Sequence, residues 1–207
     1  QTTYSQQPDH SKLVVGYYAQ WSIYARDYNV LDIEGDKLTH IMYAFFNATY
    51  DSITDEAKIE SLDEHADFLH NESEKHTWGG ETRGNIGDLR LLKEKYPHLK
   101  ILISVGGWTK SQNLPAIAES SNARITFAES MVEFMNLYPW IDGFDIDWEF
   151  PDNSTEIANH LLLCQDLRAA LDVQGNTDGV HYDLSIAVGG TSRNMPGTFA
   201  TYHDDFL

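Results

Sequence analysis

The sequence predicts an α/β fold built around a parallel sheet. Short apolar segments alternate along the chain with segments of helical periodicity, a pattern typical of repeated βα units. The apolar segments are nearly continuous, as in strands that are covered on both faces. The 207 residues are enough for one domain with a substantial core.

Five strands are predicted, and the third is followed directly by two glycines. A complete TIM (β/α)8-type barrel has eight strands and roughly 250 residues. We therefore expect only about the first five βα units of such a barrel, as an N-terminal piece or a natural truncation. The predicted strands are Leu13–Ala19, Leu38–Phe46, Lys100–Val105, Gly143–Glu149 and Tyr182–Val188.

Two helices are predicted between the second and fourth strands. Asn85 and Asp88 predict the first turn of one helix, which runs to Tyr96 and is ended by the proline that follows. Residues 123–137 form an amphipathic segment. The residues expected on its apolar stripe are Ile125, Phe127, Met131, Phe134 and Met135.

A third helix is predicted to run to Val173. Asn153 and Glu156 resemble a capping box at its start, and Gly175 occupies the position of a C-cap. Cys164, the only cysteine, lies among apolar residues of this helix. We predict a buried, inert thiol, and a single cysteine excludes an intrachain disulfide.

The domain organisation follows from these elements. Residues 1–11 are polar and are predicted to form a tail, and residues 12–207 form the partial barrel. Residues 48–84 are acidic and polar, and they are predicted to be an insertion between the second strand and its helix. In a (β/α)8 barrel this loop lies on the face that carries active sites. A substrate-binding role and a tolerated surface insertion both remain open.

The charge balance limits the classes of partner. The chain has 14 Lys and Arg against 32 Asp and Glu, a formal charge of −18. Such a surface repels phosphate backbones and anionic lipids, so we expect neither nucleic acid nor membrane as a partner. No apolar segment reaches the ~18 residues of a transmembrane helix. A neutral polysaccharide suits this surface better, and we expect a monomer.

Acidic residues are concentrated in the fourth predicted strand, which reads DGFDIDWE from Asp142 to Glu149. Side chains alternate along a strand, so Asp145, Asp147 and Glu149 share one face at intervals of ~6.6 Å. Asp142 has the opposite parity and is expected at the strand entry, hydrogen-bonded to backbone. An exposed acidic edge is the common alternative, but the apolar residues between and beside the acids disfavour it.

The row of acids predicts general acid catalysis. Aligned carboxylates that are partly desolvated raise the pKa of at least one member, and a general acid must hold a proton at neutral pH. Glu149 is closest to the carboxyl end of the strand, where substrates bind in a barrel, so we predict that it is the proton donor. Asp147 and Asp145 are suited to orienting charge and sharing a proton.

These residues resemble a known family. DGFDIDWE matches the D-x-x-D-x-D-x-E signature of glycoside hydrolase family 18, the chitinases and their relatives. Residues 104–108, SVGGW, resemble its S-x-G-G motif, and residues 16–18 and 43–45 resemble its first two strands. The resemblance covers about residues 13–190.

The resemblance implies a retaining, substrate-assisted hydrolysis of β-1,4 linkages between N-acetylglucosamine units. Glu149 would protonate the glycosidic oxygen while the acetamide oxygen of the sugar attacks the anomeric carbon. Asp147 would hold the acetamide and Asp145 would support Asp147. Two further residues are expected to support these acids, namely Asp142 and Ser104.

The family pattern also places aromatic residues on the floor of a sugar cleft. Tyr17, Phe45 and Trp108 are the expected contacts, and Gly107 would allow close approach of the sugar. Trp21 and Tyr24 could extend the cleft. We expect no cofactor, and no metal because the histidines show no ligand spacing. The expected partner is chitin or its oligosaccharides, which favours a secreted, extracellular protein.

Two alternatives stay open. A chitinase-like lectin would use the same cleft without catalysis, although such lectins usually lack the terminal acid that Glu149 supplies. An endo-β-N-acetylglucosaminidase acting on N-glycans would share the chemistry and differ in its loops. The family's M-x-Y-D motif and a late tryptophan are not found in these 207 residues, and we expect them downstream if the chain is a piece.

Overall fold

The computed structural model describes residues 12–70 and 83–189. The predicted tail at residues 1–11 and part of the predicted insertion lie outside the described residues. Within the described ranges, none of the helices has the length and apolar character needed to cross a bilayer. The strands are β1 (Val15–Ala19), β2 (His40–Asp51), β3 (Glu56–Ser61), β4 (Lys100–Gly106), β5 (Gly143–Asp147) and β6 (Asp183–Ile186).

The sheet confirms the predicted parallel order. Neighbouring strands run β1-β2-β4-β5-β6, all parallel, and β3 lies antiparallel on the far part of β2. β4 and β5 are buried along almost their whole length, as their continuous apolar character predicts. These five parallel strands with their helices form the expected part of a TIM-type barrel.

Helices cover the outer face of the sheet. Their buried side chains meet outward-facing strand residues such as Tyr43, Ile103 and Ile146 in one apolar core. Cys164 is fully buried, and burial raises the pKa of its thiol to about 12, which agrees with an inert cysteine. The helices are α1 (Gly84–Lys95), α2 (Leu114–Glu119), α3 (Ser121–Leu137) and α4 (Ser154–Asp178).

One predicted detail of the helices is confirmed and two are wrong. Asn85 lies in the first turn of α1, as predicted; it is buried, and its side-chain amide donates to the Gln20 carbonyl and the Tyr43 hydroxyl. Ile125 is half exposed on α3 rather than on its buried stripe. α4 runs past Gly175 and ends where Gly179, with φ of 73°, adopts the left-handed conformation.

The start of α4 agrees more closely with the prediction. The Asn153 side chain accepts hydrogen bonds from the backbone N–H groups of Thr155 and Glu156, each at 3.0 Å. The Glu156 carboxylate accepts from Asp152 rather than from the cap residue, so the capping box is displaced by one residue.

The predicted insertion at residues 48–84 is partly regular structure. β2 continues to Asp51 and turns into β3, so this part is a β-hairpin, and the sequence prediction of a loop is wrong here. The outer edge of β3 packs on α3. Two helix hydroxyls accept from strand N–H groups, Thr126 from Ala57 at 2.9 Å and Ser130 from Ile59 at 3.0 Å. The helix thereby occupies an edge that would otherwise be free to pair with another chain.

Replacing Thr126 with Val should destabilise the fold by about 1 kcal/mol, because the half-buried N–H of Ala57 loses its acceptor. Chemical denaturation would measure the change. Thr177→Val is the matched control, since that exposed helix hydroxyl donates to the Val173 carbonyl but is not seen to contact a strand. Equal stabilities of the two variants would contradict this account of the edge.

Candidate active site

β5 carries two of the predicted acids into the interior of the partial barrel. Asp145 and Asp147 are 1% and 5% exposed. Glu149 is half-buried and lies two residues beyond the end of the strand, so the predicted strand end at Glu149 is wrong. The alternative of an acidic edge open to bulk water does not fit this burial.

Asp145 is held by three hydroxyl groups. Tyr17 and Ser104 donate to its Oδ2 at 2.9 and 2.7 Å, and Ser185 donates to Oδ1 at 2.7 Å. Ser104 and Ser185 are direct lateral neighbours of Asp145 on β4 and β6. Ser185 was not predicted from the sequence, although the register of the fifth predicted strand was the signal that could have identified it.

Asp147 is held less completely. Among the described residues its buried Oδ1 has no hydrogen-bond partner. The pKa of Asp147 is raised to about 7 by burial, then by the negative charges of Glu149 and Asp145 and by a hydrogen bond with the Glu149 carboxyl. The sequence predicted the proton on Glu149, whereas the group whose pKa the structure raises is the neighbouring Asp147.

Tyr17, predicted as a sugar contact, points its hydroxyl at the row of acids. Its hydroxyl is committed to Asp145, and its ring is half exposed on the open face of the sheet. Burial and the charge of Asp145 raise its pKa, so the phenol stays protonated and continues to donate.

Two glycines make the turn at the end of β4. Gly106 has φ of 116°, and a Cβ atom there would lie 2.3 Å from the Asp147 carbonyl oxygen. Gly107 has φ of 99°, and its Cβ would meet the Phe45 ring at 3.2 Å. Both positions therefore need glycine. The N–H of Gly107 also donates to the Asp147 carbonyl at 2.8 Å, which ties this turn to the row of acids.

Aromatic residues line a cleft beside this turn. Phe45 is half-buried, Trp108 is 75% exposed, and the Trp21 ring lies 6.3 Å from the Phe45 ring. The cleft has a volume of about 440 Å³. Gln20, Leu62, Asp63, Gly106, Gly107, Thr109 and Lys110 complete its lining.

The two residues that directly follow β3, Leu62 and Asp63, also line this cleft. Asp63 accepts from the Tyr24 hydroxyl at 2.7 Å and from the Ala66 N–H at 3.0 Å. The predicted insertion thus builds one wall of the cleft, and Tyr24 braces that wall.

Asp142 lies away from the other acids, at the opposite end of β5. It accepts from the Ile101 N–H at 2.8 Å, as its parity predicted, and forms ion pairs with Lys93 and, at 3.4 Å, Lys100. The structure does not bring it to the cleft, so the support it gives is to the fold.

Ser111, which the sequence analysis did not single out, connects the two strand ends. Its hydroxyl lies 2.7 Å from the Gly107 carbonyl oxygen and 3.0 Å from that of Asp147, and it accepts from the Glu149 N–H at 3.3 Å. Only the three-dimensional structure reveals this role, because nothing in the local sequence distinguishes Ser111 from an ordinary loop serine.

Within the described ranges, no group of three His, Cys, Asp or Glu side chains is arranged to hold a metal ion. The site therefore consists of the buried Asp145, the interacting carboxyls of Asp147 and Glu149, and an aromatic cleft at the glycine turn after β4.

Comparison with known proteins agrees with this architecture. Residues 13–204 match the family described as glycosyl hydrolases family 18. The chain is 56% identical over 160 residues to chitinase ChiA of Flavobacterium johnsoniae, covering 75% of this chain and 10% of that protein. The first curated relatives are all much longer, and the chain spans between 10% and 40% of the first three.

Solved structures show the same fold. Chitinase ChiA74 from Bacillus thuringiensis superposes with a TM-score of 0.81 at 33% identity, covering 89% of this chain and 36% of that one. A mutant family 18 chitinase from Cycas revoluta in complex with (GlcNAc)4 superposes with a TM-score of 0.64 at 25% identity, covering 86% and 46%. The chain belongs to glycosyl hydrolase family 18.

Proposed function

We propose that this chain carries the catalytic acids of a chitinase, which hydrolyses β-1,4 linkages between N-acetylglucosamine units with retention of configuration. The observation that carries the proposal is the interacting carboxyls of Asp147 and Glu149, where burial and the charge of Glu149 raise the pKa of Asp147 to about 7 beside the glycine turn that borders the aromatic cleft. Family membership supports the same activity, and the similar proteins from Flavobacterium johnsoniae and Bacillus thuringiensis are named chitinases.

In the first step Glu149 gives its proton to the glycosidic oxygen, and the bond from that oxygen to the anomeric carbon breaks. The acetamide oxygen of the same sugar attacks this carbon, which forms a cyclic oxazolinium ion and releases the rest of the chain. Water then attacks the anomeric carbon from the opposite face while Glu149 takes its proton. The two inversions together retain the configuration.

The neighbouring acids make this proton transfer favourable. The Oδ1 of Asp147, which is buried and has no hydrogen-bond partner among the described residues, can accept the acetamide N–H of the sugar when the carboxyl turns toward it. A donor to this oxygen favours the ionised form of Asp147, so the proton of the pair moves to Glu149 when substrate binds. Asp145, whose charge is held by three hydroxyls, opposes loss of the proton from the pair.

The cleft provides apolar surface for the sugar rings. Replacing Trp108 with Ala should raise KM for chitin oligosaccharides about tenfold, the effect of losing ~1.4 kcal/mol of binding energy, with kcat changed much less. Because the Trp108 side chain is 75% exposed, the melting temperature should stay nearly constant. Leu137→Ala, a change at an exposed position on α3, is the control, and an unchanged KM in the Trp108 variant would contradict the role.

The proposal is tested with the protein expressed from its complete gene. Chitin oligosaccharides should be cleaved, proton NMR should detect the β-anomer of the new reducing end first, and a thiazoline mimic of the oxazolinium ion should inhibit. Binding without cleavage would indicate the lectin alternative. Cleavage of N-glycans alone would indicate the endo-β-N-acetylglucosaminidase.

We also propose that the protein acts outside the cell, because chitin is an insoluble polymer. Fractionation of a culture of the source organism should recover the protein from the medium or the cell surface. Recovery from the cytoplasm alone would contradict this location.

A further inference from the structure

The Ser111 hydroxyl occupies the place where the ladder between β4 and β5 ends. The last paired residues are Gly106 and Asp147, and beyond them the positive φ of Gly107 turns the chain away from β5. The Glu149 N–H consequently faces a gap rather than a neighbouring strand. The Ser111 side chain fills that gap and is 8% exposed.

One hydroxyl connects three backbone groups there. Its hydrogen points to the carbonyl oxygens of Gly107 and Asp147, at 2.7 and 3.0 Å, and its oxygen accepts from the Glu149 N–H at 3.3 Å. A hydroxyl has one hydrogen, which is shared here between the two carbonyl oxygens, and two lone pairs, one of which accepts from the Glu149 N–H. The backbone of Glu149 is thereby joined to the glycine turn and to the preceding acid.

We propose that Ser111 is a positioning residue, which fixes the backbone of Glu149 so that its carboxyl stays paired with Asp147. Among the described residues, Ser111 supplies the only side-chain acceptor recorded for the Glu149 N–H, and Glu149 already lies beyond the regular strand. Loss of the hydroxyl leaves this N–H without a partner and frees the chain after Asp147 to move. Small displacements of a catalytic group have large effects on rate.

The charges that face the pair do not include Ser111 itself. Asp145 on β5 and the Tyr17 hydroxyl on β1 face the carboxyl pair. Besides burial, the charge of Asp145 raises the pKa of Asp147, and the charges of the pair raise the pKa of Tyr17. A change in the titration of the pair on removing an uncharged hydroxyl would therefore report a change of geometry.

The kinetic test compares Ser111→Ala, Ser111→Thr and the exposed control Ser121→Ala. The alanine variant should lower kcat on chitin oligosaccharides about tenfold and leave KM within about twofold, because positioning acts on the transition state rather than on ground-state binding. Threonine keeps the hydroxyl and should recover kcat to within about threefold of the original protein. The proposal would be overturned if kcat of Ser111→Ala stayed within about twofold of the original protein. It would also be overturned if Ser111→Thr were as slow as Ser111→Ala while its melting temperature was unchanged.

The kinetic part rests on the proposed chitinase activity, so a second measurement does not use turnover. Carbon NMR of labelled aspartate and glutamate carboxyls follows the pair during a pH titration, with Asp147→Asn for assignment. In Ser111→Ala the carboxyls separate, and the pKa of Asp147 should fall from about 7 by about one pH unit. If the titration of Asp147 is unchanged in Ser111→Ala, the inference is overturned, whether or not any substrate is cleaved. If the titration changes as expected but the original protein is inactive, only the chitinase proposal is refuted.

Discussion

Replacing Glu149 with Gln should lower kcat on chitin oligosaccharides by about a thousandfold, within the range expected for loss of a general acid. Glutamine has nearly the same shape and keeps a hydrogen bond to Asp147 within reach, but it has no proton to give to the glycosidic oxygen. The cleft and its aromatic residues are unchanged, so the dissociation constant for the oligosaccharides should stay within about threefold. Steady-state kinetics and calorimetric titration would measure the two quantities.

Glu94→Gln is the matched control, because Glu94 is an exposed residue of α1 and does not line the cleft. It should change neither quantity. A Glu149 variant that retains turnover would refute the donor assignment. A variant that loses turnover and binding together would indicate that Glu149 mainly shapes the cleft.

Replacing Asp147 with Asn should stabilise the folded protein at alkaline pH while it removes most of the activity. The pKa of Asp147 is about 7 in the fold, against an ordinary value of 3.8. Between these two values the folded state holds a proton that the unfolded state has released, so the carboxyl costs stability as pH rises, and the full cost is present above pH 7. Asparagine cannot ionise and avoids this cost.

The expected gain is about 2 kcal/mol above pH 7, after allowance for partial screening of the carboxyl by solvent, and it should vanish below about pH 4. This corresponds to an increase in melting temperature of about 5 °C at pH 8.5, measured by calorimetry, with a smaller increase at pH 5. Activity should fall by at least about a hundredfold, since a neutral amide stabilises the positive intermediate less well.

Asp36→Asn, a change at an exposed aspartate, is the control for the stability measurement and should have the same effect at both pH values. A lower melting temperature of the Asp147 variant at pH 8.5 would show that this carboxyl stabilises the fold. In that case the carboxyls of Asp147 and Glu149 would not lower the stability of the fold in exchange for catalytic activity.

The position of Phe45 shows the limit of reasoning from strand periodicity. Alternation along β2 places residue 45 on the same face as Tyr43, which is buried under the helices. The register between β2 and β4 shifts between Ala44 and Phe46, and this bulge moves Phe46 into the core and leaves Phe45 at the cleft. Only the family resemblance, and not the periodicity, assigned Phe45 to the sugar cleft.

The acids of β5 show how far local sequence can determine a site. The apolar Phe144 and Ile146 require one side of the strand to face the core, so Asp145 and Asp147 must share the opposite side. Strand order, the helical segments and the location of Asp142 follow from patterns of the same local kind. These features depend on side-chain period and burial, which are written in neighbouring residues.

Other parts of the site depend on contacts between distant segments. The hydroxyl of Ser185 on Asp145 and the Ser111 bridge to Glu149 join residues from different strands and loops. The hairpin formed by β2 and β3 likewise depends on hydroxyls of α3 to cover its edge. The sequence alone therefore determined which residues face the interior, and the tertiary structure decided which of them meet, because pKa values and hydrogen bonds depend on distances across the fold.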